Sequence, residues 1–275
     1  MANRGFRAYV VSVGKPVHLM NGWWAPLTAA AMVAPQPSGR AAEDAFAAAR
    51  HLMVVEQLQG WGRGITNARV LAAMGKVPRE EFVPERARRW AYQDSPLPIG
   101  HDQTISQPYV VAFMTERLEP GPTDRVLEVG TGSGYQAAVL AELVAQVYTI
   151  EIVQDLARTA AANLKRLGYT NVNVRAGDGY RGWPEAAPFD AIIVTCAPEQ
   201  VPPPLVEQLR EGGRMIIPVG PTWDQQLVLL HKKDGKLERR EVLPVRFVPM
   251  TGQSQRPDAA GPKPQTTNAL PFFRW

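Results

Sequence analysis

Residues 125–135 read Arg-Val-Leu-Glu-Val-Gly-Thr-Gly-Ser-Gly-Tyr. An apolar run of strand length passes straight into glycines at every second position, and Ala137–Leu143 then has helical character. Strand, tight glycine turn and helix in that order open a nucleotide-type α/β unit, because glycine lets the backbone turn sharply and approach a ligand closely. The next apolar run, Val147–Ile150, ends at Glu151, 21 residues beyond Gly130. A carboxylate there can accept hydrogen bonds from both hydroxyls of a ribose.

Further along the chain the alternation continues. Short apolar runs at Val172–Val174, Ala191–Val194, Met215–Ile217 and Leu227–Leu230 are separated by glycines and helical stretches. This pattern predicts an α/β fold, a Rossmann-like, doubly wound, mainly parallel sheet with helices on both faces. Residues 225–249 hold strand-like runs with no helix between them, so the last strands are expected to form an antiparallel edge. Before the sheet, Ala41–Leu58 reads as an alanine-rich helix, and Thr66 as the N-cap of a second. A third helix is expected over Gln107–Leu118, ended by Pro120-Gly121-Pro122.

Two cofactors can use the glycine turn. Gly132-x-Gly134-x-x-Ala137 satisfies a dinucleotide fingerprint, with a pyrophosphate on the helix N-terminus. The longer run Glu128-x-Gly130-x-Gly132-x-Gly134 resembles the S-adenosylmethionine loop of class I methyltransferases instead. In that family an amino-acid tail and a sulfonium lie over the turn. By the same resemblance, Gly177-Asp178-Gly179 occupies the adenine-contacting position after the third strand.

Composition excludes several other classes. A chain of 275 residues with 45% hydrophobic content can bury one substantial core. The net charge of +4 is scattered, with no basic run beyond Arg86-Ala-Arg88-Arg89, so no nucleic-acid partner is expected. One cysteine, Cys196, rules out an internal disulfide, and the four histidines show no metal-ligand spacing. Nowhere is there an uninterrupted apolar stretch of the ~18 residues a membrane helix needs, and no stable membrane association is expected.

Residues 98–108, Pro-Ile-Gly-His-Asp-Gln-Thr-Ile-Ser-Gln-Pro, lie shortly before the glycine turn. Ser106 is a candidate nucleophile by residue type, but the Gly-x-Ser-x-Gly setting of a hydrolase is missing and no orienting third group is identifiable. Locally it reads as the N-cap of the third helix, with Pro108 in the first turn. His101 and Asp102 read as residues that shape this loop, with a direct substrate contact as the alternative.

Taken together, five segments change that reading of Ser106. They are Val77-Pro-Arg-Glu-Glu-Phe-Val-Pro84, the 98–108 loop, Glu128-Val-Gly-Thr-Gly-Ser-Gly-Tyr-Gln136, Gly177-Asp-Gly-Tyr180 and Pro244-Val-Arg-Phe-Val-Pro-Met-Thr-Gly252. In this order they resemble the protein-L-isoaspartate O-methyltransferase family, over roughly residues 50–252. The resemblance implies methyl transfer from S-adenosylmethionine to the free α-carboxylate of isoaspartyl residues, which begins repair through a succinimide. It implies that Ser106 is the active-site serine, meeting the substrate with Thr104 and Ile105, and that Gly130, Thr131, Gly132, Ser133, Gly134, Glu151, Asp178 and Gly179 surround the cofactor. Arg246, in the final strands, is a further candidate to meet the substrate, with a surface ion pair as the alternative. Cys196 borders that region but reads as a small packed thiol, and Tyr135 and Tyr180 as core residues.

Three other functions compete. One is a methyltransferase acting on a small molecule. Another is an NAD-dependent oxidoreductase, for which no hydride-handling His or Lys–Tyr pair is identifiable. The third is an inactive nucleoside-binding module. The expected organisation is a flexible extension over 1–40, one domain over 41–252 and a disordered tail over 253–275. Within the domain, 41–120 would be a helical part with the substrate loop and 121–252 the cofactor-binding sheet. The protein is expected to act as a monomer. Arg4, Arg7 and Lys15 ahead of Val17–Ala34 resemble a secretory signal in outline, but His18, Asn21, Gly22 and Pro26 interrupt it. S-adenosylmethionine is a cytosolic metabolite, so the cytoplasm is the expected location and export the alternative.

Overall fold

The computed structural model describes residues 39–60 and 64–255; the extension before residue 39, with Trp23 and Trp24, and the tail after 255 lie outside the described residues. The chain enters through α1 (Gly39–Leu52), which continues into a π-helical turn over Met53–Leu58. The next helix, α2 (Ala68–Lys76), corrects one expectation. Its N-cap is Asn67, whose Oδ1 accepts from the amides of Arg69 and Val70 at 3.0 and 3.3 Å. Thr66 lies one residue before that cap and donates its amide to Glu116 Oε1 at 2.7 Å, as does Asn67.

Two short 3₁₀ turns, Arg79–Phe82 and Glu85–Trp90, lead to a hairpin of β1 (Leu97–Gly100) and β2 (Gln103–Ile105). Its tip is His101-Asp102, both left-handed with φ of 52° and 57°, so these two residues do shape the loop. The helix α3 (Pro108–Leu118) follows at once. Here a second expectation is corrected: the cap position is Gln107, and Ser106 does not cap the helix. Asp94 does the work from a distance, accepting the Tyr109 amide at 3.1 Å and the Gln107 side-chain amide at 2.9 Å. Pro108 stands in the first turn, where its missing N–H costs nothing.

The rest is β3 (Arg125–Val129), α4 (Tyr135–Ala141), β4 (Gln146–Glu151), α5 (Gln154–Arg166), β5 (Val172–Ala176), β6 (Phe189–Val194), α6 (Pro203–Gln208), β7 (Leu209–Val219), β8 (Gln225–Lys233) and β9 (Lys236–Val245). These strands form one sheet of seven in the order β5-β4-β3-β6-β7-β8-β9. The first five are parallel; β8 and β9 add an antiparallel edge, as the helix-free stretch after residue 225 implies.

Strand alternation divides the interior into two cores. Leu127 and Val129 of β3 join Ile192 and Val194 of β6 on one face. Val126, Ala191 and Ile193 point to the other, where α2, α3 and α4 contribute Met74, Met114, Ala138 and Leu140. Each fully buried aliphatic side chain there contributes roughly 1.5–3 kcal/mol of transfer free energy. Period-two alternation places Glu128 beside Val126, on the face that α3 and the loop before it cover. The sheet thus aims an acid at the substrate loop.

Candidate active site

The cleft opens at the carboxyl ends of β3, β4 and β6, the usual ligand position in an open α/β sheet. At the turn after β3, Gly130, Gly132 and Gly134 all take positive φ. Gly130 shows why: a Cβ there would strike Thr195 Oγ1, which donates to the Gly130 carbonyl at 2.7 Å. At Gly134, with φ of 91°, a Cβ would sit 3.1 Å from Leu164 Cδ1, so this glycine lets the turn pack on α5 and enter α4.

Two adjoining cavities flank the turn. The first is lined by Gly130, Gly132, Ile150, Glu151, Ile152, Gly179 and Cys196, among others. Its outer wall is Val248–Thr251, held in place by a bridge in which Ala197 donates to the Val248 carbonyl and accepts from the Met250 amide, both at 2.8 Å. The second is lined by Thr104, Ile105, Ser106, Glu128, Thr131, Ser133, Tyr135 and Gln136, among others. Thr104, Gly130, Gly132 and Thr195 belong to both. The loop singled out as substrate-holding and the glycine turn therefore wall the same cavity and border the adjoining one.

Glu151 is 5% exposed and already engaged: its carboxylate accepts from the Gly132 amide at 2.8 Å and the Val153 amide at 2.9 Å. Each oxygen keeps a free lone pair for a ligand hydroxyl. Glu128 is the opposite case. It is 0% exposed, and neither carboxyl oxygen has a hydrogen-bond partner. Burial pushes its pKa up to about 8; the nearby Thr149 hydroxyl opposes this and Glu151 adds to it. A buried, unpaired carboxyl facing a cavity fits a cationic ligand group such as an α-ammonium.

Other residues named from the sequence take different places. Gly179 lines the first cavity, whereas Asp178 is not among its lining residues and accepts from the Tyr180 amide at 3.0 Å and the Gln253 amide at 2.8 Å. Arg246 is exposed just beyond β9 and lines neither cavity. The Cys196 thiol is pushed up to about 12 by burial and then by Glu151 and Asp178, which keeps it protonated and unreactive. Thr195, Gln136 and Val248–Thr251 were not singled out from the sequence as site residues. Only the position of Thr195 at the end of a parallel strand could have flagged it.

Comparison with known proteins agrees with this geometry. The model of the protein-L-isoaspartate(D-aspartate) O-methyltransferase family matches residues 49–255. The chain is 61% identical over 203 residues to a protein-L-isoaspartate O-methyltransferase of Opitutus terrae, covering 74% of this chain and 86% of that one. It is 56% identical over 221 residues to protein-L-isoaspartate O-methyltransferase 2 of Syntrophobacter fumaroxidans, covering 77% and 90%. Among solved structures, a Plasmodium falciparum beta-aspartate methyltransferase in complex with S-adenosyl-L-homocysteine superposes with a TM-score of 0.65 at 30% identity, covering 74% of this chain and 98% of the other. With the glycine turn, the distal carboxylate and the Thr-Ile-Ser loop assembled around one cleft, this chain belongs to the protein-L-isoaspartate(D-aspartate) O-methyltransferase family.

Proposed function

We infer that the protein methylates the free α-carboxylate of L-isoaspartyl residues in damaged proteins and peptides, using S-adenosylmethionine, and so initiates their repair. One observation carries this reading: Thr104, Ile105 and Ser106 share a cavity with the glycine turn and Glu128. When bound, S-adenosylmethionine supplies an electrophilic methyl group. Glu151 would hold the ribose and Glu128 the α-ammonium, with Gly130–Ser133 beneath the tail and Ile150, Ile152 and Gly179 against the nucleoside.

The acceptor needs little activation. An α-carboxyl has a reference pKa near ~3.5 and is ionised at neutral pH, so no general base is required. What the protein contributes is orientation and exclusion of water. The Ser106 hydroxyl donates to the acceptor carboxylate without protonating it, and the half-buried loop desolvates one oxygen. Arg246, exposed just beyond β9, would meet the polypeptide that carries the isoaspartyl residue.

Residues 41–252 form the working domain in this account, and the protein acts as a monomer in the cytoplasm with no nucleic-acid or membrane partner. Among the described residues no helix is long and apolar enough to cross a membrane. To test the repair reading, an isoaspartyl peptide is incubated with the protein and S-adenosylmethionine, and its isomers are separated by chromatography. Cofactor-dependent accumulation of the aspartyl isomer is expected. An unchanged isoaspartyl pool, with no methyl ester at any time, would overturn it.

A further inference from the structure

Arg79 is 0% exposed, an unusual position for a guanidinium. Its Nε donates to the Ala91 carbonyl and its Nη2 to the Ser106 carbonyl, each at 2.7 Å. The third nitrogen, Nη1, has no hydrogen-bond partner, and the guanidinium carbon stands 4.7 Å from the ring centroid of Tyr135. The nearby acids are engaged elsewhere. Glu80 is taken by the Tyr92 hydroxyl and Arg50, and Asp94 by Gln107 and the Tyr109 amide. Among the described residues no carboxylate lies within ion-pair distance of Arg79; burial lowers its pKa, and the Tyr135 hydroxyl and the Asp94 carboxylate only partly offset that. Such an arrangement is costly unless an anion answers it in the working complex.

Of the three residues the guanidinium meets, Ser106 and Tyr135 are walls of the second cavity. We propose that Arg79 is a positioning residue for the acceptor: it fixes the main chain at Ser106 and sets a permanent positive charge one side-chain layer behind the bound isoaspartyl carboxylate. The inference rests on the function given above. It separates two effects. The tether depends on having donors, whereas the charge acts on the substrate anion through a medium of low dielectric.

Arg79→Gln keeps a donor and removes the charge; Arg79→Lys keeps the charge with one donor group. In the full chain, KM and kcat for an isoaspartyl peptide are measured together with the Kd of S-adenosylhomocysteine. Arg79→Gln should raise KM about tenfold, the size of one screened charge at this range. The Kd of S-adenosylhomocysteine should stay within about twofold, and Arg79→Lys should hold KM within about threefold of wild type. An unchanged KM in Arg79→Gln overturns the proposal, as does equal weakening of S-adenosylhomocysteine, which would mark a general structural loss. Should the glutamine variant not fold, the lysine variant decides alone, and a KM rise of about tenfold or more despite the retained charge refutes the charge role. If wild-type protein fails to methylate the peptide, the function falls; if it is active and Arg79→Gln binds peptide normally, only this inference falls.

Discussion

Replacing Glu128 by glutamine should make the protein more stable in alkaline solution, an outcome few acidic residues would give. The carboxyl is 0% exposed with both oxygens unpaired, and its pKa rises from 4.5 to about 8 on folding. Below pH 4.5 it is protonated in both the folded and the unfolded chain and costs nothing. As pH rises, the unfolded chain ionises first while the folded chain keeps its proton, so stability is lost progressively until about pH 8 and is then level. At about 1.4 kcal/mol per pH unit, the loss over that window reaches at most about 5 kcal/mol. Glutamine has nearly the same shape and cannot ionise. Urea unfolding of both proteins, without cofactor, at pH 5, 6.5 and 8 on the order of 0.2 M ionic strength reads the difference directly. The gap in favour of Glu128→Gln should widen by several kcal/mol across the series. Parallel stability curves would refute the buried, protonated carboxyl. A linked outcome concerns the ligand: S-adenosylhomocysteine carries an ammonium that would favour the ionised acid, so binding at pH 7 should release about one proton. Calorimetry in buffers of different ionisation enthalpy measures this release.

Three further perturbations are expected to separate by role. Ser106→Ala should lower kcat/KM about tenfold or more while leaving the thermal midpoint unchanged, because Ser106 does not cap α3. Unchanged turnover would remove its hydroxyl from the chemistry. Glu151→Ala should weaken S-adenosylhomocysteine about a hundredfold through lost charge-assisted bonds, and should also lower the melting temperature, since the Gly132 and Val153 amides lose their acceptor. An unaltered Kd would move the ribose contact elsewhere. With its thiol pushed up to about 12, Cys196 should resist iodoacetamide at pH near ~7.5, and Cys196→Ala should retain turnover. Rapid alkylation would contradict the protonated thiol.

What could be read from the chain and what could not divides along a physical line. The turn Gly130–Gly134 and the distal Glu151 were legible because strand, turn and helix signals are local and their spacing carries the chemistry. The antiparallel edge was legible for a similar reason, since two strands without a helix between them can only form a hairpin. Helix starts were not. Asn67, not Thr66, caps α2, where Glu116 from 50 residues away takes the Thr66 amide, and Asp94 rather than Ser106 serves the first turn of α3. Such acceptors come from tertiary packing, which propensity cannot see. The same holds for the site walls. Val248–Thr251 reach the cleft through the Ala197–Pro249 bridge, and Arg79 reaches Ser106 across 27 residues. The glycine motif contains Glu128 but did not single it out, and only sheet alternation shows that it faces the Ser106 loop.

The central claim is that this cleft selects an isoaspartyl carboxylate for methylation. The direct measurement supplies methyl-labelled S-adenosylmethionine to the purified protein with two peptides of one sequence, isoaspartyl and aspartyl. The account predicts base-labile label on the isoaspartyl peptide alone, lost or strongly reduced in Ser106→Ala. Equal labelling of both peptides, or of neither while S-adenosylmethionine still binds, would contradict it.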